Sequence, residues 1–267
     1  MNQTKKIKVN QTLFRYVEGG PQGTTPVIFL HAFPLNLEMW TEQINALEKQ
    51  VAYLAFDIRG FGESDLGDRK VSIDLYCEDL FALMDLLKIP KAILCGLSMG
   101  GYIALRFRQR FPERVVGMIL ADTRTGEDSD EAKEKRKKGI DQLRAGGIDE
   151  FADNFLKGAL SPQTLSQNSG LFASLRASIS KNAVEGMCAA LAAMANRKDT
   201  AIALSSNPIS TLLIVGEEDK LTPPAEAEKM AQLHGKAVVE KIPNAGHLSN
   251  LEMPKVFNEK LEKFLKR

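Results

Sequence analysis

Residues 96–100 are the stretch of this 267-residue chain best suited to chemistry, because they place Ser98 between two glycines in a G-x-S-x-G pattern. The apolar run 92–95 precedes the serine, and apolar residues at helical spacing follow it. This arrangement predicts a sharp strand-to-helix turn that projects the serine hydroxyl from a helix N-terminus, where backbone N–H groups stabilise an anion. The flanking glycines avoid the side-chain collisions that such a turn would cause.

A serine nucleophile needs a base, and the chain has three histidines. His247 is the candidate base because it follows the apolar run 237–242, and catalytic residues collect beyond the ends of parallel strands. The alternative for a loop histidine is a solvated surface residue. His234 ends a helical stretch and is predicted to be structural, either exposed or capping the helix.

The base in turn needs an acid to orient it, and Asp219 is the candidate. It follows the apolar run 211–215 and precedes Thr222 and Pro223, which are predicted as the N-cap and first residue of a helix. Asp122, after the run 115–121, is the runner-up acid. Serine, histidine and aspartate together are the residue types of a nucleophilic triad.

Four segments give the chain a resemblance to the α/β-hydrolase fold family over almost its whole length. They are His31-Ala32-Phe33-Pro34, residues 57–64, the serine turn, and the loops of Asp219 and His247, in the family's Ser-Asp-His order. Within the family the chain most resembles small bacterial carboxylesterases and 3-oxoadipate enol-lactonase-like hydrolases. Those enzymes cleave esters or lactones without a cofactor.

The resemblance implies further roles near the serine. The backbone N–H groups of Phe33 and Met99 would form an oxyanion hole. His31 would orient the loop and would not act as a base. Ala32 stands where the family more often has glycine, which requires that the local backbone avoid glycine-only angles. A serine nucleophile also argues against the dehalogenases and epoxide hydrolases of this fold, which use an aspartate.

The segment 57–64 is interpreted as a structural turn. An ion pair between Asp57 and Arg59, or a neighbouring ion pair, is expected to hold it. The alternative is that Arg59 contacts substrate.

Alternating apolar runs and helical patterns predict an α/β fold with a doubly wound, mostly parallel sheet. The predicted strands are an antiparallel pair at 7–9 and 12–17 and buried strands at 27–30, 51–56, 92–95, 115–121, 211–215 and 237–242. Residues 1–123 and 201–267 are the predicted core. Residues 124–200 lack strand patterns and are predicted to be an inserted helical cap, as in the family.

Three residues in or beside this insertion are candidates for substrate binding. Arg124 could bind a carboxylate through two hydrogen bonds, and its alternative is a salt bridge with an acid such as Asp122. Met187 and Leu191 share one face of a predicted helix, which either faces substrate or packs the cap on the core. The charged stretch 127–138 is predicted to be a solvated helix face.

Composition excludes several partners. A net charge of +1 implies no nucleic acid, and the apolar runs are far shorter than the ~20 residues that span a bilayer. Three widely spaced cysteines fit neither a disulfide framework nor a metal site and favour a reducing cytoplasm. No cofactor or metal is predicted, and the expected partner is a small-molecule ester or lactone.

The predicted function is a serine hydrolase that cleaves a small ester or lactone through an acyl-enzyme. One alternative is another reaction on the same triad, such as that of a cofactor-free perhydrolase, a thioesterase or a carbon–carbon hydrolase. Another is a non-catalytic ligand-binding member of the fold. A histidine base predicts activity that rises with pH through about 6–7.

Overall fold

The computed structural model describes residues 3–266, and among these eight strands form one sheet in the order β1-β2-β4-β3-β5-β6-β7-β8. The strands are β1 (Lys5–Val9), β2 (Thr12–Gly19), β3 (Val27–Leu30), β4 (Tyr53–Phe56), β5 (Ala92–Leu97), β6 (Val115–Ala121), β7 (Ser210–Gly216) and β8 (Val238–Ile242). β1 and β2 pair antiparallel with each other, and β2 pairs antiparallel with β4. All other pairings are parallel.

Helices connect and cover the strands. They are α1 (Thr41–Leu47), α2 (Ile73–Leu86), α3 (Met99–Arg110), α4 (Asp130–Arg144), α5 (Ile148–Ala159), α6 (Pro162–Gln167), α7 (Ser169–Ser180), α8 (Val184–Ala195), α9 (Ile202–Ser205), α10 (Pro224–His234), α11 (Ser249–Glu252) and α12 (Pro254–Leu265). No helix within residues 3–266 combines the length and apolar character needed to cross a membrane.

The strand order reverses beside β3. From β3 the chain runs to β4 on one side and then to β5 on the other. The carboxyl ends of β3 and β5 therefore border a crevice of the kind in which ligands bind on open α/β sheets. Right-handed crossovers place α1 on one face of the sheet and α2 and α3 on the other. The packing of α1 against α12, and of α2 against α3, agrees with this arrangement.

Large buried side chains hold the central strands in place. β3 and β4 are buried along their whole length. Trp40, directly before α1, is fully buried with its ring centroid 5.1 Å from that of Phe29 on β3 and 6.3 Å from that of Phe257 on α12. Burial of one such side chain contributes roughly 1.5–3 kcal/mol. Trp40 thereby joins β3 to α12.

The predicted fold class is confirmed. The strands predicted at 27–30 and 115–121 coincide with β3 and β6, and the other six agree within two residues at each end. The predicted helix start at Thr222 is wrong by one residue, because Pro223 is the capping residue and α10 begins at Pro224. The Thr222 hydroxyl donates to Asp219 and is therefore not the cap.

Six helices, α4 to α9, lie between β6 and β7 among the described residues, and the first five of them fall within 124–200. α4 packs against α8 and α5 packs against α7. The boundaries drawn at residues 124 and 200 stay a prediction. Residues 1, 2 and 267 of the predicted core lie outside the described part of the chain.

Candidate active site

Ser98 lies at the turn between β5 and α3 with φ 53° and ψ −112°, a backbone conformation that a non-glycine residue rarely adopts. Its neighbours leave no room for side chains. A Cβ on Gly96 would lie 2.3 Å from the Gly100 carbonyl oxygen, and a Cβ on Gly100 would lie 2.0 Å from that of Leu30. The glycines of the motif are thus required by close backbone contacts, as the sequence predicts.

Ser98, His247 and Asp219 form one hydrogen-bonded line. His247 Nε2 lies 2.8 Å from Ser98 Oγ, and His247 Nδ1 lies 2.8 Å from Asp219 Oδ2. All three side chains are buried. Because Asp219 only accepts when ionised, Nδ1 carries the proton, and Nε2 is left to accept the serine proton.

The turn between β7 and α10 fixes the Asp219 carboxylate. Oδ1 accepts the backbone N–H groups of Leu221 and Thr222 at 2.8 and 2.9 Å, and Oδ2 accepts the Thr222 hydroxyl at 2.6 Å. Neither oxygen can turn away from His247 without losing these bonds.

Asp219 and His247 each stabilise the charged form of the other. Burial alone would raise the pKa of Asp219, but the charge and hydrogen bond of His247, with the bonds from Thr222, hold that pKa below its usual range. Burial alone would lower the pKa of His247, but the charge and the hydrogen bond of Asp219 raise it above its usual value. The imidazole therefore accepts a proton more readily than a free histidine does.

The loop of His247 is anchored by backbone bonds. The His247 N–H donates to the carbonyl of Ala159, the last residue of α5, at 2.6 Å. Glu252 accepts the N–H groups of Gly246 and Ser161, both at 2.8 Å. Sequence reasoning missed Glu252, because its partners are backbone amides that leave no trace in residue type.

Asp122, the runner-up acid, makes no hydrogen bond to His247. It is fully buried and accepts the Gly216 N–H at 2.8 Å and the Ser249 hydroxyl at 2.5 Å. Burial, together with the negative charge of Asp219, raises the pKa of Asp122 to about 8. The histidine is oriented by Asp219, and Asp122 joins the ends of β6 and β7 to the start of α11.

Phe33 and Met99 follow neighbouring strands, since Leu30 of β3 pairs with Gly96 of β5. Among the described residues, neither backbone N–H donates a hydrogen bond. Ala32 is absent from the residues of positive φ, so alanine fits where the family more often has glycine. Both amides thus remain available at the carboxyl end of the sheet.

His31 braces this loop. Its Nδ1 donates to the Ala32 carbonyl at 3.0 Å, and its Nε2 accepts the Ile58 N–H at 2.9 Å. Burial lowers the pKa of His31 to about 4, which keeps the ring neutral and both bonds intact. The geometry agrees with a loop-orienting residue.

The expected pairing of Asp57 with Arg59 is wrong, although neighbouring ion pairs do hold the segment. Asp57 bonds Arg15 of β2 at 2.6 Å, and Arg59 bonds both oxygens of Asp79 on α2 at 2.7 Å. Arg59 is fully buried and also donates to Thr12, so it is not available to contact substrate. Asp57 and Arg59 are two residues apart, yet they pair with residues of two different elements, β2 and α2.

Arg124 pairs with Asp128 and not with Asp122, with an Nη2–Oδ1 distance of 2.8 Å. Its Nε is buried and has no hydrogen-bond partner among the described residues. Asp128 also bonds Arg136 of α4, so the prediction of a solvated helix face for 127–138 is wrong at these two residues, whereas most of the others in the stretch are exposed. Carboxylate binding by Arg124 stays a prediction.

Met187 and Leu191 are buried on α8, which packs against α4. Leu191 lies beside Gly139 of α4. This favours packing among the inserted helices for Leu191, and substrate contact by either residue stays a prediction. His234 is buried and not exposed, and its Nε2 lies 2.8 Å from the Ile209 carbonyl, which makes it structural.

Aromatic residues cover the Phe33 loop and were missed by sequence reasoning. The Phe33 ring makes edge contacts with Phe61 and with Phe151 and Phe155 of α5, at centroid distances of 6.0, 6.0 and 6.2 Å. The spacing of residues 151 and 155 on one helix face is the signal that could have found them. Within residues 3–266, no cluster of His, Cys, Asp and Glu could hold a metal ion, and all three cysteines are buried and free.

The chain belongs to the alpha/beta hydrolase fold family, whose model matches residues 25–254. It is 28% identical over 261 residues to 3-oxoadipate enol-lactonase 2 of Acinetobacter baylyi, covering 98% of this chain and 96% of that protein.

Solved structures of two enzymes are similar along the whole chain. A thermophilic esterase from Thermogutta terrifontis superposes with a TM-score of 0.93 and 31% identity, covering 99% of this chain and 98% of that chain. The enol-lactonase from Burkholderia xenovorans LB400 superposes with a TM-score of 0.91 and 26% identity, covering 98% of this chain and 100% of that chain.

Proposed function

We propose that the protein is a serine hydrolase that cleaves a small carboxylic ester or lactone through an acyl-enzyme on Ser98. The observation that carries this proposal is the unbroken line of hydrogen bonds from Ser98 Oγ through His247 to Asp219. The similarity to esterases and enol-lactonases supports the broader class, a hydrolase of carboxylic esters.

In the first half of the reaction, His247 Nε2 takes the Ser98 proton as Oγ attacks the carbonyl carbon. Asp219 holds the imidazole in the required tautomer and stabilises its positive charge. His247 then gives the proton to the departing alkoxide, and the bond between the carbonyl carbon and that oxygen breaks. With a lactone, the alcohol stays attached to the acyl group.

In the second half, His247 takes a proton from water, which attacks the acyl-enzyme carbonyl. The bond to Ser98 Oγ breaks, the serine regains its proton from His247, and a carboxylic acid leaves. The free N–H groups of Phe33 and Met99 would hold the oxyanion in both halves. Two such preorganised donors contribute several kcal/mol to lowering the barrier.

The inserted helices act in this proposal as a cap, as the predicted domain 124–200 requires. The contact of Phe33 with α5 and the bond from His247 to Ala159 support it, because both join this segment to loops of the triad. Arg124, Met187 and Leu191 remain the proposed substrate contacts. Arg124 suits a substrate that carries a carboxylate, since its buried Nε has no partner.

The experiment is hydrolysis of p-nitrophenyl esters from acetate to decanoate, with Ser98→Ala as control. We expect turnover by the wild type, no turnover above background by the variant, and a preferred chain length that gauges the pocket. Labelling of Ser98 by a fluorophosphonate gives an independent readout. Folded wild-type protein that neither turns over esters and enol-lactones nor takes the label would overturn the proposal in favour of a ligand-binding role.

A further inference from the structure

A cavity of about 390 Å³ lies beside α3. None of the three residues Ser98, His247 and Asp219 lines it. Its walls are the start of α2, residues Tyr102 and Arg106 on α3, the end of α8, and residues Arg197, Lys198 and Thr200. This volume falls in the range of about 300–1,000 Å³ that is usual for small-molecule sites. The cavity is thus large enough for a ligand and is distinct from the triad.

The lining is strongly cationic. Lys70, Arg106, Arg197 and Lys198 face a single lining carboxylate, Asp74. Arg106 neutralises Asp74 through a bond of 2.7 Å. Lys70 and Lys198 are exposed at the rim and have no ion-pair partner among the described residues. Positive charge in a concave, partly buried wall concentrates anions.

A second observation lies directly behind this wall. Asp128 is a fully buried carboxylate shared by three arginines, Arg124, Arg136 and Arg197. Asp128 carries one negative charge against three guanidinium groups, and the Glu226 charge acts on Arg124 as well, so the cluster keeps excess positive charge.

Arg197 joins this cluster to the cavity. Its side chain is 3% exposed, its guanidinium lies over the Tyr102 ring at 4.1 Å, and its Nε is buried without a hydrogen-bond partner in the described chain. A buried donor left unpaired costs about 1–3 kcal/mol. An anion in the cavity would lower the electrostatic free energy of the surrounding positive charges.

The remaining lining indicates an organic anion. Val71, Ile73, Ala192 and Ala193 add apolar surface to the lining beside its charges. The N-terminus of α2, capped by Ser72, adds the positive end of a 14-residue helix dipole. Inorganic phosphate would leave the apolar surface unused, whereas a short carbon chain would cover it.

We propose that this cavity binds a small organic carboxylate, with Lys70 and Lys198 at the rim and Arg197 in the wall, at a site separate from the triad. Tyr102 stands between the two sites, because its N–H donates to the Ser98 carbonyl while the same residue lines the cavity. The proposal does not depend on the hydrolytic function.

The test is isothermal titration calorimetry with succinate. We expect binding by the wild type and a Kd at least tenfold weaker for Lys70→Glu/Lys198→Glu. The matched control is Lys137→Glu/Lys138→Glu, which changes the same charge at two exposed lysines of α4 outside the cavity and is expected to leave Kd unchanged. Succinamide, which has the same carbon chain without charge, should not bind.

Binding to fluorophosphonate-labelled protein separates this cavity from the triad. Succinate binding that survives labelling supports the separate site. No binding by the wild type, equal loss in both double variants, or loss on labelling would each overturn the proposal. Should the protein neither take the label nor turn over esters and enol-lactones, the proposed hydrolytic function fails, whereas the comparison of the lysine variants still decides the cavity. Thermal unfolding checks that both double variants fold, and Lys198→Arg, which keeps the positive charge, should leave Kd unchanged.

Discussion

His247 is the proposed base, and its ability to accept a proton depends on its surroundings. It faces the Asp219 carboxylate through a hydrogen bond and the Glu252 carboxylate through space. Burial opposes protonation, but these carboxylates prevail and raise the pKa of the imidazole. The neutral imidazole required of a base therefore becomes dominant only at higher pH than for a free histidine.

We predict that kcat/KM for an uncharged ester rises with pH and reaches half its maximum above about pH 6.5, the ordinary histidine pKa. The raised pKa of His247 sets the sign, since protonated imidazole cannot accept the serine proton. Initial rates between pH 5 and 9 measure it. A flat profile over this range would contradict His247 as the base.

The Asp219→Asn substitution should lower kcat by about 10⁴-fold, because an amide can donate to Nδ1 and so favour the wrong tautomer. It should also move the pH midpoint down, since the charge that raises the His247 pKa is removed. Glu218→Gln is the matched control at the neighbouring acid and should leave both quantities unchanged. Equal effects of the two substitutions would argue against the assignment.

At the level of single residues, the sequence predicts Ser98, His247 and Asp219, because each follows an apolar strand in a recognisable order. The sequence also ranks Asp219 above Asp122, although both follow strands, and the hydrogen bond between His247 and Asp219 agrees with that ranking. Ion-pair partners are harder to predict from the sequence. Arg15 bonds Asp57 from 42 residues away, and residue types alone do not show which of many acids and bases meet.

At the scale of elements, Asp122 joins three parts of the fold. It lies after β6 with φ 45° and bonds Gly216 at the end of β7 and Ser249 at the start of α11. Ser249 is two residues from His247, so the same carboxyl group helps to place the base. Burial and the nearby Asp219 charge raise its pKa to about 8.

This raised pKa predicts a pH-dependent contribution to stability. In the unfolded chain Asp122 loses its proton near pH 3.9, whereas the folded protein keeps it until about pH 8. The contribution of Asp122 is thus fully present below about pH 4 and is lost as pH rises towards 8.

Asp122→Asn keeps the size of the side chain and cannot ionise. We expect the difference in unfolding free energy between variant and wild type to shift in favour of the variant from pH 5 to pH 8. Urea unfolding at each pH measures it. Ser249→Ala, which removes one bond to Asp122 without removing the carboxyl, is the control for lost packing. A difference that stays constant with pH would show that Asp122 does not titrate in this range.

The elements themselves were predictable where the signal is local. Four-residue apolar runs buried on both faces predict strands such as β3 and β4 without knowledge of their neighbours. The prediction of Thr222 as the N-cap of α10 is wrong, although a threonine before proline is a good N-cap in isolation. Its hydroxyl is engaged by Asp219, a contact that only the folded turn provides.

At the scale of the whole molecule, the helices inserted between β6 and β7 are fastened to the loops of the site. The Asn182 side chain, between α7 and α8, donates to the Pro34 carbonyl at 2.7 Å and accepts the Gly62 N–H at 3.0 Å. Gly186 on α8 allows close approach, since a Cβ there would lie 2.0 Å from the Gly60 carbonyl oxygen. Sequence patterns predict such helices, but contacts across more than 100 residues lie beyond them.

Asn182→Ala should therefore impair catalysis although Asn182 is not part of the triad. It leaves the buried Pro34 carbonyl without a partner, which costs about 1–3 kcal/mol, and it removes the acceptor of the exposed Gly62 N–H. Phe33, whose N–H is the proposed oxyanion donor, directly precedes Pro34 and loses the bond that fixes its neighbour.

We expect kcat/KM to fall about tenfold or more, since small misplacements of a catalytic group cost up to about 10²-fold. Ester hydrolysis and urea unfolding measured together separate a misplaced site from a loss of folded protein. Asn196→Ala removes an exposed asparagine of the same segment and should change neither. Asn182→Asp keeps the acceptor for Gly62 and should recover part of the activity. Wild-type rates in a folded Asn182→Ala protein would mean that this clamp does not position the oxyanion loop, and that the contacts of Phe33 with α5 suffice.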